Sequence, residues 1–331
     1  MTATRNSAET VAEAFNEGSF YEGSCNSDPV DSAEPILVSK GNDKQVLLRS
    51  APIEAQPGKD ILSLSLVKRG LLFAELSMIA YLNPEETEQA AARLGFDSCV
   101  FYNNDGSQAY SFANERDIVI AFRGTEPNEW NDIKADMDAK KALAETVGHV
   151  HRGFKKEVDD LWPELEQMLV SHKHNLSKKL WFTGHSLGGA MASICAGRCL
   201  LSHINTRPEQ VHTFGSPRVG TKRYINHAKV DYYRWVNNND IVPRSPPVWL
   251  GYRHAGKEIY LDSDGKIKNL TAAERRADMW KGLVASLKKK QLDYFSDHLI
   301  DNYVEYIYLE SKSKSKLESK LEPEAEPQSK Y

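Results

Sequence analysis

The stretch that decides the fold is Lys179-Leu-Trp-Phe-Thr-Gly184-His-Ser186-Leu-Gly188-Gly-Ala190. Its first residues form an apolar run that predicts a buried strand, and the Ala- and Met-rich residues after Ser186 predict a helix. The turn between them has G-x-S-x-G spacing, which between a strand and a helix is typical of a nucleophile elbow. Such a turn is so sharp that the positions two before and two after Ser186 have no room for a side chain. We therefore interpret Ser186 as a nucleophile rather than as an incidental serine in a glycine-rich turn.

Two kinds of segment alternate on both sides of this elbow. Apolar runs predict strands, and apolar residues at helical spacing predict amphipathic helices. Strands are predicted at 117–122, 179–183, 211–214 and 232–236, after a hairpin over 99–113, and helices at about 66–81, 84–94, 154–171, 186–202 and 297–308. This alternation predicts an α/β fold with a central, mostly parallel sheet flanked by helices.

Composition sets the expected organisation of the chain. The 331 residues carry a formal net charge of −4 and are 40% hydrophobic, without the basic stripe that nucleic-acid binding requires. We expect 1–60 to be a largely disordered or loosely packed lead-in, 61–310 to form the domain, and 311–331 to be a charged disordered tail. No apolar run approaches the roughly 18–20 residues that span a bilayer. Residues 1–20 lack the apolar core of a Sec signal peptide, which predicts a cytoplasmic protein or export by another route.

Four cysteines are too few and too scattered for a disulfide framework. Cys195 and Cys199 lie one helical turn apart, but no second Cys/His pair stands at ligand spacing. We expect them to be buried apolar thiols rather than a metal site.

A serine nucleophile needs a base and an acid, and the residues after the elbow supply them. Asp240 directly follows a predicted strand, and His298 comes later still. Serine, aspartate and histidine thus occur in the chain order in which such a sheet presents a triad. His254 is the alternative base and Asp297 the alternative acid.

The negative charge that develops on a substrate oxygen needs hydrogen-bond donors. Gly124-Thr125 follows the predicted central strand, which can direct the Thr125 backbone N–H at the oxyanion. The second donor is the backbone N–H of Leu187, directly after the nucleophile. His185 is the sequence neighbour of the nucleophile and cannot face it as a base.

Five segments, in this order along the chain, together resemble the class 3 lipase family. They are Ile120-Ala-Phe-Arg-Gly-Thr125, Val150-His151-Arg-Gly-Phe154, Gly184-His-Ser186-Leu-Gly-Gly-Ala190, Thr213-Phe-Gly-Ser-Pro-Arg-Val-Gly220 and Asn239-Asp240-Ile-Val-Pro243. The resemblance covers about residues 70–310. It implies an α/β-hydrolase fold, a Ser186–Asp240–His298 triad, an oxyanion hole from Thr125 and Leu187, and ester hydrolysis without a metal or organic cofactor. His151 resembles the family histidine beneath the site, which we interpret as structural.

The chain departs from the family between the oxyanion strand and Val150. Secreted fungal members have a short apolar lid there, together with signal peptides and disulfides, neither of which this sequence predicts. Residues 126–149 instead carry six carboxylates and three lysines, while Trp130, Ile133 and Met137 share one helical face. We predict that this face covers the acyl pocket as a lid. The alternative is a surface helix packed down by the same three residues.

These features predict a triacylglycerol lipase that works through an acyl-enzyme. Its partners would be lipid or other ester substrates, at an oil–water or membrane surface, and neither a nucleic acid nor a transmembrane segment is expected. An A-type phospholipase and a short-chain or feruloyl-type esterase would use the same residues. A non-catalytic lipase-like binding module is the remaining alternative.

Overall fold

The computed structural model describes most of the chain between residues 35 and 318. The described ranges are 35–39, 46–56, 58–125, 140–145, 147–173, 178–201, 207–271, 273–278 and 296–318. The predicted lid residues Trp130, Ile133 and Met137 lie outside these ranges.

A large mixed sheet forms the centre of the described structure. The strands are β1 (Ile36–Ser39), β2 (Val46–Leu48), β3 (Ser98–Asn104), β4 (Ser107–Ala113), β5 (Asp117–Phe122), β6 (Lys141–Leu143), β7 (His149–His151), β8 (Lys179–His185), β9 (Gln210–Phe214), β10 (Gly220–Thr221), β11 (Tyr232–Asn237), β12 (Tyr252–Arg253), β13 (Lys257–Leu261) and β14 (Ile267–Lys268). Within the described ranges, eight of them form the sheet in the order β14-β13-β11-β9-β8-β5-β4-β3. The strands β5, β8, β9, β11 and β13 run parallel, and the antiparallel pairings lie toward the two edges. Because the carboxyl ends of parallel strands meet at one edge, the residues that follow β5, β8 and β11 come together there.

Helices cover both faces of this sheet. They are α1 (Leu66–Ile79), α2 (Pro84–Arg93), α3 (Arg152–Lys173), α4 (Leu187–Leu201), α5 (Lys222–His227) and α6 (Ile300–Glu318). Side chains of α1, α2 and α6 pack with Trp181 on one face, whereas those of α3 and α4 pack with Phe182 on the other. Adjacent residues of β8 thus point to opposite cores, as the twofold period of a strand requires. The predicted mostly parallel sheet flanked by helices is confirmed.

Local sequence sets the start of two of these helices. The Ser65 hydroxyl accepts a hydrogen bond from the Lys68 backbone N–H at the start of α1. At α2 the Asn83 side chain accepts from Glu86 N at 2.9 Å, and Pro84 occupies the first helical position. These contacts satisfy backbone donors that have no partner inside the helix. The predicted start of α2 is confirmed.

A second, smaller sheet lies beside the first. In the described part of the chain its order is β12-β10-β7-β6. The hydroxyl of Tyr252 in β12 donates to the Lys140 carbonyl at 3.3 Å. This contact joins β12 to Lys140, which belongs to the 126–149 stretch between the oxyanion strand and Val150.

Two segments of the chain differ from expectation. Helix α6 continues to Glu318, so residues 311–318 are helical rather than part of a disordered tail. Lysine and glutamate are good helix formers, and Lys314 pairs with Glu310 one turn away at 3.8 Å. In the lead-in predicted to be loose, Leu48 and Ile53 are buried in the core, and Ile53 N donates to the Leu94 carbonyl at 3.1 Å.

Two further features concern the helices. Cys195 and Cys199 of α4 are buried free thiols, as predicted.

None of the helices in the described ranges is both long enough and apolar enough to cross a membrane.

Candidate active site

Ser186 lies at the turn between β8 and α4 in a strained backbone conformation. Its φ is +57°, in the left-handed region that residues with a side chain rarely adopt. The turn is held on both sides, because Ser186 N donates to the Phe214 carbonyl at 2.9 Å and Gly189 N donates to the Ser186 carbonyl at 3.0 Å. The serine is therefore fixed at the carboxyl edge of the sheet, directly before the positive end of a helix.

The two glycines of the elbow are required by close backbone contacts. A Cβ on Gly184 would lie 2.3 Å from the carbonyl carbon of Gly188, and a Cβ on Gly188 would lie 2.2 Å from the Phe122 carbonyl oxygen. Both distances are far shorter than any van der Waals contact. The crowding that the G-x-S-x-G pattern implies is present at both positions.

Three predicted side chains form a continuous hydrogen-bonded row. His298 Nε2 lies 2.8 Å from Ser186 Oγ, and His298 Nδ1 lies 2.9 Å from Asp240 Oδ2. All three residues are almost completely buried. Asp240 comes from the turn after β11, and His298 from a short 3-10 turn directly before α6. The structure thus brings together residues that are 112 positions apart in sequence.

The alternative base and acid are engaged elsewhere. His254 Nε2 lies 2.6 Å from the Pro243 carbonyl oxygen, and burial lowers the pKa of this histidine well below its usual value. Burial raises the pKa of the Asp297 carboxyl, with the charge of Asp240 as a second cause. The main-chain carbonyl of Asp297 accepts a bond from Asn237 Nδ2 at 3.0 Å. His298 is the histidine that contacts the serine, and Asp240 is the carboxylate that contacts His298.

Tyr303 is a site residue that sequence reasoning did not find. Its hydroxyl donates to Asp240 Oδ2 at 2.6 Å and accepts from the Asn237 backbone N–H at 3.0 Å. Burial, together with the nearby charge of Asp240, raises the pKa of the Tyr303 hydroxyl well above its usual value, so it remains a donor. Asp240 Oδ1 accepts from Val242 N at 2.9 Å. The carboxylate is therefore fixed by three donors, counting His298.

His185 contacts the histidine of this row from behind. Its Nε2 lies 2.6 Å from the His298 carbonyl oxygen, and its Nδ1 lies 2.9 Å from the Tyr81 hydroxyl. Burial, and next the charge of His298, lower the pKa of His185 well below its usual value, so its ring is neutral. A carbonyl oxygen only accepts, so the proton of the neutral ring is assigned to Nε2, and Tyr81 donates to Nδ1. The sequence excludes His185 as a base but gives no sign of this contact.

The two predicted oxyanion residues follow the neighbouring parallel strands β5 and β8. Leu187 is the first residue of α4, so its backbone N–H belongs to the helix amides that have no partner within the helix. Thr125 is half-buried and follows Gly124 after the end of β5. A Cβ on Gly124 would lie 2.6 Å from the His185 carbonyl oxygen and 2.4 Å from the Tyr81 hydroxyl. Glycine at this position allows the strand end to approach the elbow.

His151 lies in the small sheet, at the end of β7. Its ring stacks on Phe154 with centroids 4.0 Å apart, and it lies 6.0 Å from the ring of Tyr252. It therefore packs between the small sheet and the start of α3.

Comparison with known proteins finds a family model that matches part of the chain. Residues 119–249, which contain Thr125, the elbow and Asp240, match the family model described as Lipase (class 3). This matched segment resembles class 3 lipases and makes up less than half of the 331 residues. Residues 250–331, including His298, lie outside the matched part.

Individual relatives share a part of this chain. A secreted mono- and diacylglycerol lipase of Fusarium solani is 34% identical over 164 residues, which are 48% of this chain and 48% of that protein. Toxin TseL of Vibrio cholerae is 31% identical over 196 residues, which are 46% of this chain and 30% of the toxin. This chain thus spans half or less of the length of these relatives.

A solved structure agrees with the fold. The Rhizomucor miehei lipase in complex with its propeptide superimposes with a TM-score of 0.52 at 27% identity, over 59% of this chain and 68% of that one. The predicted α/β-hydrolase fold is confirmed.

Proposed function

We propose that this protein hydrolyses carboxylic esters of acylglycerols through an acyl-enzyme on Ser186. The observation that carries the proposal is the buried row from Asp240 through His298 to Ser186, with the serine held at φ +57° on an elbow. A base that contacts both the nucleophile and an orienting carboxylate is the arrangement that activates a serine. The fungal relatives, a mono- and diacylglycerol lipase and a lipase, support acylglycerols as the substrate class.

The proposed reaction has two halves. In the first, His298 Nε2 takes the proton of Ser186 Oγ while Oγ bonds to the ester carbonyl carbon, and the carbonyl oxygen becomes an oxyanion. The backbone N–H groups of Thr125 and Leu187 stabilise this oxyanion. His298 then gives its proton to the leaving alkoxide oxygen, and the carbon–oxygen bond of the ester breaks to release the alcohol.

In the second half, water hydrolyses the acyl-enzyme. His298 takes a proton from the water, whose oxygen bonds to the acyl carbon. The tetrahedral intermediate then breaks its bond to Ser186 Oγ, which regains the proton from His298. Asp240 keeps the imidazole in the tautomer with its proton on Nδ1 and stabilises its positive form. Burial of the three residues strengthens each of these interactions.

Labelling with a fluorophosphonate probe and a substrate series test the proposal. We expect the probe to label wild-type protein at Ser186 and to leave Ser186→Ala unlabelled. We expect hydrolysis of mono-, di- or triacylglycerol, and loss of that activity on the order of 10⁴–10⁶-fold in Ser186→Ala. Absence of labelling in a folded wild-type protein would identify a non-catalytic binding module. Hydrolysis of phosphatidylcholine or of short nitrophenyl esters, with none of acylglycerols, would overturn the substrate class and retain the ester chemistry.

A further inference from the structure

An exposed apolar turn lies outside the site described above. Residues Val248–Leu250 form a short 3-10 turn directly before β12. The side chain of Trp249 is 82% exposed, and Val248 and Leu250 are 46% and 40% exposed. Three consecutive exposed apolar residues with a tryptophan at their centre form a contiguous patch, and such patches mark sites of contact with a protein or a membrane.

Hydrogen bonds fix the shape of this turn. Nη1 of Arg253 donates to the carbonyl oxygens of Val248 and Tyr252, both at 2.7 Å. Gly251 follows the turn at φ +85°, and its N–H donates to the Val248 carbonyl at 2.9 Å. These hydrogen bonds fix the backbone that carries the apolar side chains. Binding therefore costs little conformational entropy in this turn.

The described residues beside the turn include several cations. Between Asp240 and Glu258 the sequence contains Arg244, Arg253 and Lys257 and no carboxylate. The small sheet adds Lys141, which is exposed and whose Nζ lies 5.5 Å from the centroid of the Tyr252 ring. A Cβ on Gly251 would lie 3.6 Å from the same Nζ. An ammonium group thus lies directly beside the apolar turn.

We propose that the docking surface formed by Val248–Leu250, Lys141 and Arg253 binds an anionic lipid–water interface. Tryptophan suits the headgroup level of a membrane because it combines a large apolar ring with an N–H donor. Cations beside inserted apolar residues add attraction to lipid phosphates. The proposal rests on the proposed function, and it names the kind of surface from which the ester is drawn.

The loop that carries this docking surface begins at the proposed triad. Val242 N donates to Asp240 Oδ1, and His254 Nε2 lies 2.6 Å from the Pro243 carbonyl. Arg218 N donates to the Ser245 carbonyl at 2.7 Å, and Arg218 Nη1 donates to the Pro246 carbonyl at 3.0 Å. Each part of the loop is thus held to the domain, so a lipid surface bound at Trp249 lies at a fixed position relative to the site.

A second copy of the chain is a less suitable occupant. In a twofold dimer the same patch meets itself, so residues near the axis face their own equivalents. Lys141 and Arg253 would then approach like charges, which weakens association. An anionic surface complements both the charge and the apolar residues.

Co-sedimentation of the 331-residue chain with vesicles tests the proposal. The vesicles are phosphatidylcholine alone or phosphatidylcholine mixed with phosphatidylglycerol, at low and high salt. We expect the mixed vesicles to bind more protein, and salt to weaken that binding. Trp249→Ser is expected to reduce the apparent affinity by roughly tenfold or more, since the indole no longer leaves water on binding. Trp249→Phe should restore most of it, and Lys141→Gln should reduce affinity for the mixed vesicles alone by about fivefold.

Leu309→Ser is the matched control, because Leu309 is an exposed apolar residue of α6 outside the docking surface. The melting temperature of each variant is measured to check that the variant is folded. Equal binding of wild type and Trp249→Ser, or equal losses in Trp249→Ser and Leu309→Ser, would overturn the proposal. The proposal would also be overturned if the wild type does not bind vesicles and forms a dimer in sedimentation velocity that Trp249→Ser dissociates. Fluorophosphonate labelling of the wild type tests the proposed function separately. Protein that is labelled but does not bind vesicles overturns the docking proposal alone.

Discussion

The hydroxyl of Tyr303 donates a 2.6 Å hydrogen bond to Asp240 Oδ2, the same oxygen that lies 2.9 Å from His298 Nδ1. The proposed triad acid thus has a buried donor from the first turns of α6, the helix that directly follows the proposed base. The carboxylate is held in place before any substrate arrives, and the position of His298 depends on it.

We expect Tyr303→Phe to lower kcat by roughly tenfold with little change in KM, because a hydrogen bond to a charged group contributes about 1.5–3 kcal/mol. The ring still fills its place in the core, so the loss reports on the hydroxyl. Steady-state kinetics with a soluble nitrophenyl ester measure it. Tyr306→Phe, on the same helix, is the control and should retain full activity. If the two variants have the same kcat, the hydroxyl of Tyr303 has no part in holding Asp240.

We expect His298→Ala to be nearly as inactive as Ser186→Ala, because members of a triad act as a unit. His254→Ala should retain measurable turnover. It should also melt at a lower temperature, since the Pro243 carbonyl loses its 2.6 Å contact with Nε2. Single-substitution kinetics and thermal unfolding check both statements. Turnover in His298→Ala together with its loss in His254→Ala would move the base to the segment after Asp240.

The contacts behind His298 predict an order of effects. Tyr81→Phe removes only the outer hydrogen bond, and we expect a roughly two- to fivefold lower kcat. His185→Phe keeps a ring beside His298 but removes the donor to its carbonyl, and we expect a loss of roughly tenfold or more. KM should change little in either variant, because neither side chain is proposed to contact the ester. An unchanged kcat in His185→Phe would show that the 2.6 Å contact does not position the base.

Glu75 predicts a pH dependence of stability rather than of activity. It is buried in α1, where it accepts from the backbone N–H groups of Arg49 at 2.5 Å and Ser50 at 3.2 Å, and burial raises its pKa from 4.5 to about 7. The folded protein therefore binds a proton at this group between these pH values and the unfolded chain does not. The contribution of Glu75 to the free energy of unfolding accordingly rises as pH falls from about 7 to about 4.5, by on the order of 3 kcal/mol.

Urea unfolding of wild type and Glu75→Gln across this pH range measures that contribution. The difference between the two free energies of unfolding should change with pH, with the wild type gaining relative to the variant as pH falls. A constant difference would show that Glu75 has an ordinary pKa in the folded protein.

Sequence located the elbow because its geometry restricts residue type. Only glycine fits at 184 and 188, where a Cβ would meet backbone atoms at 2.2–2.3 Å, so the pattern is visible in the letters. Asp240 and His298 followed from their order along the chain and from the strand ends. The strands of the sheet and the helices that flank it were predictable for a similar reason. Burial of one or both faces of an element imposes a regular spacing of apolar residues along the sequence.

Tyr81, His185 and Tyr303 act through contacts that only the packed structure creates. Tyr303 lies 63 residues from Asp240 in sequence, and Tyr81 lies 104 from His185. A tyrosine on an apolar helix face is equally consistent with core packing, so nothing in the pattern marks its hydroxyl as part of the site. Sequence also ended α6 too early, because the Lys- and Ser-rich composition after residue 310 favours a solvated tail and a helix alike.

The position of His298 directly before α6 has a consequence for the order in which the protein is made. Ser186 and both predicted oxyanion residues are synthesised and can fold into the sheet long before the proposed base exists, since His298 follows the serine by 112 residues. The nascent chain therefore carries an elbow without a proton acceptor until α6 docks on α1. Under the proposed function, a nascent chain in which residue 298 has not yet left the ribosome would lack the base and would not hydrolyse esters.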